Sequence, residues 1–516
     1  MSKNNLDMSH RSLLKTMAMS AAAVGGGLAL NMAAPGTADA LVKKLPASWD
    51  ETWDVIVVGS GFSGLAAAAE AAGAGAKTVL LEKMPTYGGN SIINGGVFAA
   101  WDDRWHYREK LNLGPDSPDQ HLKDILKGGD YYSIPALAKQ VADGAADALE
   151  LCIEGGAQLR PTVTRAGGHT AYRTHAAATG VGREYTEALR KIAEKKGIKP
   201  TLNTQVTWIY RADADPKSPV LGVEVKRGRK VLNLKATKAV ILASGGFSQN
   251  VEMRSSHNPR LTAEYNCTNH KGATGEVHKF AQAVGADTLQ MNFIQLYPYA
   301  EPETGLLDAQ AVYPFNGPGY GILYVTKYGK RFVSELERRD VVAYAQINLG
   351  KDMKPSYSIF NEAMVIPMGG SNQEVEEGLQ RGRFIKADTI PELAQKTGIP
   401  VDALVETVNK YIQYHKDGKD PEFNKPITKA MITLEKGPFY AIAQWPAVHF
   451  CMGGLRINPE AQVIDVFGSP IPGLYAAGEV SGGIHGSNRL GSNAIPTCIV
   501  FGRIAGKNAA KESVKA

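Results

Sequence analysis

Residues 54–64 read Asp54-Val55-Ile56-Val57-Val58-Gly59-Ser60-Gly61-Phe62-Ser63-Gly64. The run from Asp54 to Val58 is short, continuous and β-branched, the pattern of a strand buried on both faces. Three glycines follow at once, and the alanine-rich stretch from Leu65 to Ala74 predicts a helix. A second strand is expected at Thr78-Val79-Leu80-Leu81, ending in Glu82. This is a βαβ unit in the order that dinucleotide binding requires. Gly59 allows a tight turn, Gly61 lets backbone approach a pyrophosphate, and Gly64 lets the helix pack on the strand. The phosphates then rest on the helix N-terminus, opened by Phe62 and Ser63. Glu82 is placed to accept hydrogen bonds from a ribose.

Working outward, Lys83 is followed by Gly88-Gly89-Asn90-Ser91 and Gly95-Gly96. NAD binding does not need this second glycine cluster; backbone crossing close to the isoalloxazine end of FAD does. Lys238-Ala239-Val240-Ile241-Leu242-Ala243-Ser244-Gly245-Gly246 predicts another buried strand ending in a glycine turn. Gly473-Leu474-Tyr475-Ala476-Ala477-Gly478-Glu479 predicts a third, far downstream. Two such units early and one late imply a nucleotide domain interrupted by an insertion. The insertion, from about Met291 to Lys436, carries a helical pattern over Ile390–His415 and a strand-like run Gly321–Thr326. The expected fold is α/β: a doubly wound, Rossmann-like FAD-binding domain of glutathione-reductase type, interrupted by an α+β capping or clamp domain. The boundaries are 50–291 and 433–512 for the FAD-binding parts and 292–432 for the cap.

The 516 residues are 44% hydrophobic and 21% charged, which excludes a disordered or fibrous chain. Lysine plus arginine is 57 against 51 acidic residues, a small, scattered excess that offers no case for nucleic-acid binding. The four cysteines, Cys152, Cys267, Cys451 and Cys498, show no metal-ligand spacing and no haem-attachment motif. Residues 1–40 read as an export signal: Lys3, Arg11 and Lys15, a weakly apolar run from Met17 to Ala34, then Ala38-Asp39-Ala40, with cleavage expected after Ala40. Ser9-His10-Arg11-Ser12-Leu13-Leu14-Lys15 is similar to a twin-arginine signal with histidine in the first arginine's place. A periplasmic protein without stable membrane insertion is therefore expected, since no later run is apolar enough to span a bilayer.

Further blocks complete the pattern: Gly329-Lys330-Arg331-Phe332-Val333, Glu337-Arg338-Arg339-Asp340, His449 with Met452-Gly453-Gly454, and Gly483-Ile484-His485-Gly486-Ser487-Asn488-Arg489-Leu490-Gly491 before Asn493-Ala494-Ile495. With the glycine fingerprint, these make the chain from Trp53 onward resemble the flavoprotein portion of the flavocytochrome c fumarate reductase family, which includes urocanate reductases and related unsaturated-acid reductases. The resemblance implies non-covalent FAD, held also by Val206, Ser492, Asn493, Ala494, Ile495 and Arg489. It implies that Arg489 and His449 hold a substrate carboxylate and that Arg339 donates the proton. Saturating a carbon–carbon double bond needs hydride at one carbon and a proton at the other, and the bond accepts hydride only when its carboxylate is polarised. Arginine suits the carboxylate because its planar fork binds bidentately. Taken alone, Glu337-Arg338-Arg339-Asp340 reads as a solvated charged face, and Arg338 stands one step from the assigned donor.

The chain departs from the fumarate reductase pattern where a second carboxylate would bind. The family's histidine followed by Pro-Thr is replaced by Gln295-Leu296-Tyr297-Pro298-Tyr299, and its threonine–glutamate pair by Val312-Tyr313-Pro314-Phe315-Asn316-Gly317-Pro318-Gly319-Tyr320. A substrate wall of Tyr297, Phe315 and Tyr320 is expected, favouring a urocanate-, cinnamate- or methacrylate-like acrylate over fumarate. Many relatives carry a fused multihaem domain. With no haem motif here, electrons are expected from a separate multihaem cytochrome c or quinol-linked donor. A true fumarate reductase, a dehydrogenase or oxidase running the reaction backwards, and a non-catalytic electron-transfer flavoprotein are the alternatives.

Overall fold

A computed structural model describes residues 43–213 and 215–513. The export signal expected over 1–40 lies outside the described residues. The strand Glu51–Val58 stands inside an eight-stranded sheet, with Val55, Ile56 and Val57 completely buried. It pairs in parallel with Thr78–Leu81 on one side and with Lys230–Leu242 on the other. Pro470–Ala476 then adds in parallel beyond Lys230–Leu242. Three strands far apart in sequence thus end side by side, and their glycine turns gather at the carboxyl end of the sheet. Open α/β sheets bind ligands at that end.

Helix Phe62–Gly73 starts inside the fingerprint, with Gly61 as its N-cap, so the glycine turn and the first helical turn are continuous. Gly59 adopts φ +104, a conformation that glycine takes without strain. A Cβ on Gly64 would overlap the carbonyl oxygen of Gly59, which is why no side chain is tolerated there. The C-terminal helix Ala494–Lys511 crosses Phe62–Gly73 just as closely. A Cβ on Gly502 would come within 2.5 Å of the Ser63 carbonyl oxygen.

The insertion forms a second core on a five-stranded antiparallel sheet. Phe439–Cys451 runs through its centre, pairing with Ile294–Ala300, Ser356–Asn361 and Phe384–Ala387. This strand lies beyond 432, where the cap was expected to end, so the return to the FAD-binding part follows Cys451. The helical pattern over 390–415 resolves into Ile390–Thr397 and Val401–Asp417, separated at Gly398 with φ +73. Thr389 caps the first of these, accepting a hydrogen bond from the Glu392 amide at 3.3 Å. No helix among the described residues is long and apolar enough to cross a membrane. All four cysteines are free.

Because the clash at Gly64 is with backbone, Gly64→Ala has no flexible side chain to displace. It should destabilise the fold by about 1–3 kcal/mol or more, read as a lowered thermal midpoint against wild type.

Candidate active site

A cavity of about 380 Å³ runs from the glycine turns to the underside of the cap. Gly59, Gly61, Phe62, Ser63, Glu82, Lys83, Gly88, Gly89, Asn90, Ser91, Gly95, Val206, Ala243, Ser244, Gly245, Glu479, Ser492, Ala494 and Ile495 all line it. The expected acid is rigidly held. Glu82 is buried, its carboxylate accepting from the Ser60 hydroxyl at 2.6 Å, the Ser60 amide at 3.1 Å and the Met84 amide at 2.9 Å. Lys83 pairs with Glu276 at 2.9 Å, a cavity residue without a motif to announce it. Gly89, Gly95 and Gly245 have open space where a side chain would stand, so their backbone is free to approach a ligand. These residues fit a dinucleotide: an acid for ribose, a helix N-terminus for pyrophosphate and bare backbone for a flat ring.

Four other expected contacts do not line the cavity. Gly64, Gly96 and Gly478 are packing glycines, their missing side chains filled by Gly59, the Val181 backbone and Ser63 respectively. Asn493 turns away to accept a 2.8 Å hydrogen bond from His121.

At the cap end three segments converge. Arg339 is the first residue of helix Arg339–Asn348, His449 lies on the central cap strand, and Arg489 sits in the loop before the C-terminal helix. All three line the cavity. Arg489 is buried, its guanidinium donating to Gln295 Oε1 at 2.6 Å and lying over the Phe450 ring at 4.8 Å. Arg339 donates to the same Gln295 oxygen at 3.4 Å and is held between the rings of Tyr297, at 5.2 Å, and Phe315, at 5.0 Å. Gln295 uses its own amide hydrogens on Asn488 Oδ1 and the Arg489 carbonyl, which fixes which way its oxygen points. Among the described residues neither arginine forms an ion pair. The neighbouring Arg338 does, with Asp130 and Asp340, and it does not line the cavity, whereas Arg339 does.

The electrostatics follow from this crowding. Burial, then the charge of Arg339, lowers Arg489 to about 9. Burial also lowers Arg339, the direction that makes it a better acid. His449 is driven well below the usual histidine range by burial, then by Arg489 and Arg339, so its ring is neutral. The Thr268 hydroxyl stands 2.7 Å from His449 Nδ1. A hydroxyl donating there leaves the Nε2 hydrogen for a bound anion. The site therefore offers two guanidinium groups and a neutral imidazole.

The aromatic wall is smaller than expected. Tyr297 and Phe315 line the cavity, but Tyr320 does not: it packs against the cap core, its carbonyl taken by the Ile432 amide. Tyr313 is completely buried against Phe360 and Phe384. The alternation of a short, irregular segment does not reveal which of its rings face inward. Gln295 and Thr268 were not anticipated. Antiparallel register sets Gln295 opposite Phe450, next to His449, and no local pattern encodes that pairing.

Fold and cavity are those of a flavoprotein, with two arginines at the cap end. A family model described as FAD binding domain matches residues 54–495, and the chain belongs to this family of FAD-dependent oxidoreductases. It is 36% identical to the acrylate reductase flavoprotein subunit of Shewanella woodyi, over 89% of this chain and 91% of that one. It is 38% identical to the urocanate reductase of Eggerthella lenta, over 89% of this chain and 74% of that one. Among solved structures, the open conformation of a flavocytochrome c3 fumarate reductase superposes with a TM-score of 0.74 at 34% identity, over 90% of this chain and 79% of that one.

If the two arginines share one anion, an internal carboxylate at position 295 should compete for it. Gln295→Glu is expected to weaken binding of a simple carboxylate such as propanoate by about tenfold or more, read by thermal shift of the flavin-loaded protein. Unchanged affinity would show that the arginines do not form one site.

Proposed function

We propose that this protein saturates the carbon–carbon double bond of an α,β-unsaturated monocarboxylic acid. The observation that carries the reading is the pair of guanidinium groups, Arg339 and Arg489, converging without a carboxylate partner beside two inward-facing aromatic rings. Arg489, with the Nε2 hydrogen of His449, would bind the substrate carboxylate and draw electron density from the double bond. Arg339, lying over Tyr297 and Phe315, would give its proton to the far carbon. FAD, held in the glycine-lined cavity, supplies hydride when bound and reduced. The cap over the cavity would limit the access of water to the reacting atoms.

A second carboxylate, as in fumarate, would lie toward Tyr297, Val312 and Phe315, where the cation lying over both rings, Arg339, is the group assigned to proton transfer. Desolvating a carboxylate with no dedicated partner against these rings costs several kcal/mol. An apolar or aromatic substituent would instead gain roughly 1.5–3 kcal/mol. The names of the acrylate and urocanate reductase relatives support the same reading. The reverse reaction on a steroid fits less well, because a neutral polycyclic substrate has no use for two arginines. We also assign export to the periplasm, from the basic stretch and Ala38-Asp39-Ala40, and non-covalent FAD. Electrons would come from a separate cytochrome or quinol-linked donor; the acrylate reductase relative is itself named as a flavoprotein subunit.

The test is anaerobic oxidation of reduced viologen with acrylate, methacrylate, cinnamate, urocanate and fumarate. A monocarboxylate should be turned over best, and fumarate as the preferred substrate would refute the assignment. Arg339→Gln should lower kcat by about 10²–10⁴ while FAD is retained. Turnover with no acid at all would favour a non-catalytic electron carrier.

A further inference from the structure

Joined to the loop that carries Arg489 is a buried cluster that the chemistry above does not use. Arg173 is completely inaccessible to solvent. Its Nε and Nη2 donate to Asp116 at 2.8 and 2.7 Å, and its Nη1 donates to Asp124 at 2.7 Å. The same Nη1 is 3.2 Å from Nδ1 of His169, which is also buried. A guanidinium has only hydrogens to offer, so this ring nitrogen must be the acceptor. The imidazole is then neutral, and its hydrogen stands on Nε2. That nitrogen lies 2.8 Å from the carbonyl oxygen of Gly491. Burial and the Arg173 charge, which lower His169 to about 3, keep the ring in this form across the neutral range.

Gly491 is two residues beyond Arg489 and packs directly against the catalytic groups. A Cβ placed on it would come within 3.1 Å of Phe315 and 3.5 Å of an Arg339 guanidinium nitrogen. The next residue, Ser492, is held at φ +63, which a non-glycine residue adopts only when its surroundings impose it. The surroundings do impose it: the Ser492 hydroxyl bonds to Thr174 at 2.8 Å, and its carbonyl accepts from the Ala99 amide at 3.0 Å. His121 Nε2 bonds to Asn493 Oδ1 at 2.8 Å, a second imidazole on the same loop.

We infer that His169, oriented by Arg173, is a positioning residue that fixes the Arg489–Ser492 loop and thereby the carboxylate end of the substrate site. The inference rests on the carboxylate-binding reading above. Asp116 and Asp124 balance the buried guanidinium, Arg173 selects the tautomer, and the tautomer supplies the hydrogen that ties Gly491 to this cluster; the same carbonyl also accepts from its neighbour, the Ser492 hydroxyl, at 2.6 Å. Displacing a binding group by about 1 Å can cost up to about a hundredfold in rate, so the bond that ties the loop to a fixed buried charge is able to matter.

Two substitutions separate this role from general stability. His169→Asn keeps an oxygen for Arg173, so the buried charge stays satisfied, but its amide is too short to reach Gly491. His169→Gln spans both partners, with an acceptor and a donor spaced like the two ring nitrogens. In the full, FAD-loaded protein, the Asn variant should bind propanoate about tenfold more weakly and show a KM for the unsaturated acid raised in step. The Gln variant should return both to within about threefold of wild type. Thermal midpoints of all three are measured alongside. An Asn variant that binds propanoate as tightly as wild type, whatever its melting temperature, overturns the inference. Wild-type protein that binds no carboxylate would instead overturn the anion-site reading itself.

Discussion

Two like charges held close together inside a protein are unstable unless something negative comes to them. Arg339 and Arg489 both point at one amide oxygen, that of Gln295, and burial lowers both from their usual basicity. A neutral oxygen organises them without neutralising them. The rest of the site serves this arrangement. Aromatic faces at Tyr297, Phe315 and Phe450 support the guanidinium planes through their ring quadrupoles and give up no counter-charge. His449 stays neutral, so it adds a hydrogen bond without adding a third charge.

The fold explains why these groups meet beside a cofactor. Parallel strands bring three glycine turns to one sheet end, where glycine backbone borders the cavity. The insertion leaves the nucleotide-binding part before Ile294 and returns after Cys451. Its sheet therefore hangs Gln295, Tyr297 and His449 over that same end. Arg489 comes from the other side, on the loop leading into the C-terminal helix. The cavity end is therefore lined from both parts of the molecule at once.

Much of this was legible in the amino-acid sequence, and unevenly so. The fingerprint at 59–64 and Glu82 could be read from local physics alone, because a strand, a glycine turn and a helix are encoded within some thirty residues. Arg339, His449 and Arg489 were legible only through resemblance; in isolation Arg339 sits in a charged run that reads as solvated surface. Tyr320 was misassigned, and Gln295, Thr268 and His169 were not singled out. Their roles depend on antiparallel register and on loops packed across hundreds of residues, to which a single sequence gives no access. The glycines divide along the same line. Gly89 and Gly245 open toward the cavity while Gly64 and Gly478 fill packing contacts, and only the three-dimensional neighbours tell them apart.

Equilibrium titration of the flavin-loaded protein, followed by the flavin absorption band, compares ligands that cannot react. A cationic end facing an apolar wall should bind 3-phenylpropanoate at least about tenfold more tightly than succinate, a difference of about 1.4 kcal/mol. Replacing Arg489 with glutamine should remove the binding of both. Tighter binding of succinate, or undiminished binding after loss of the Arg489 charge, would contradict the account at its centre.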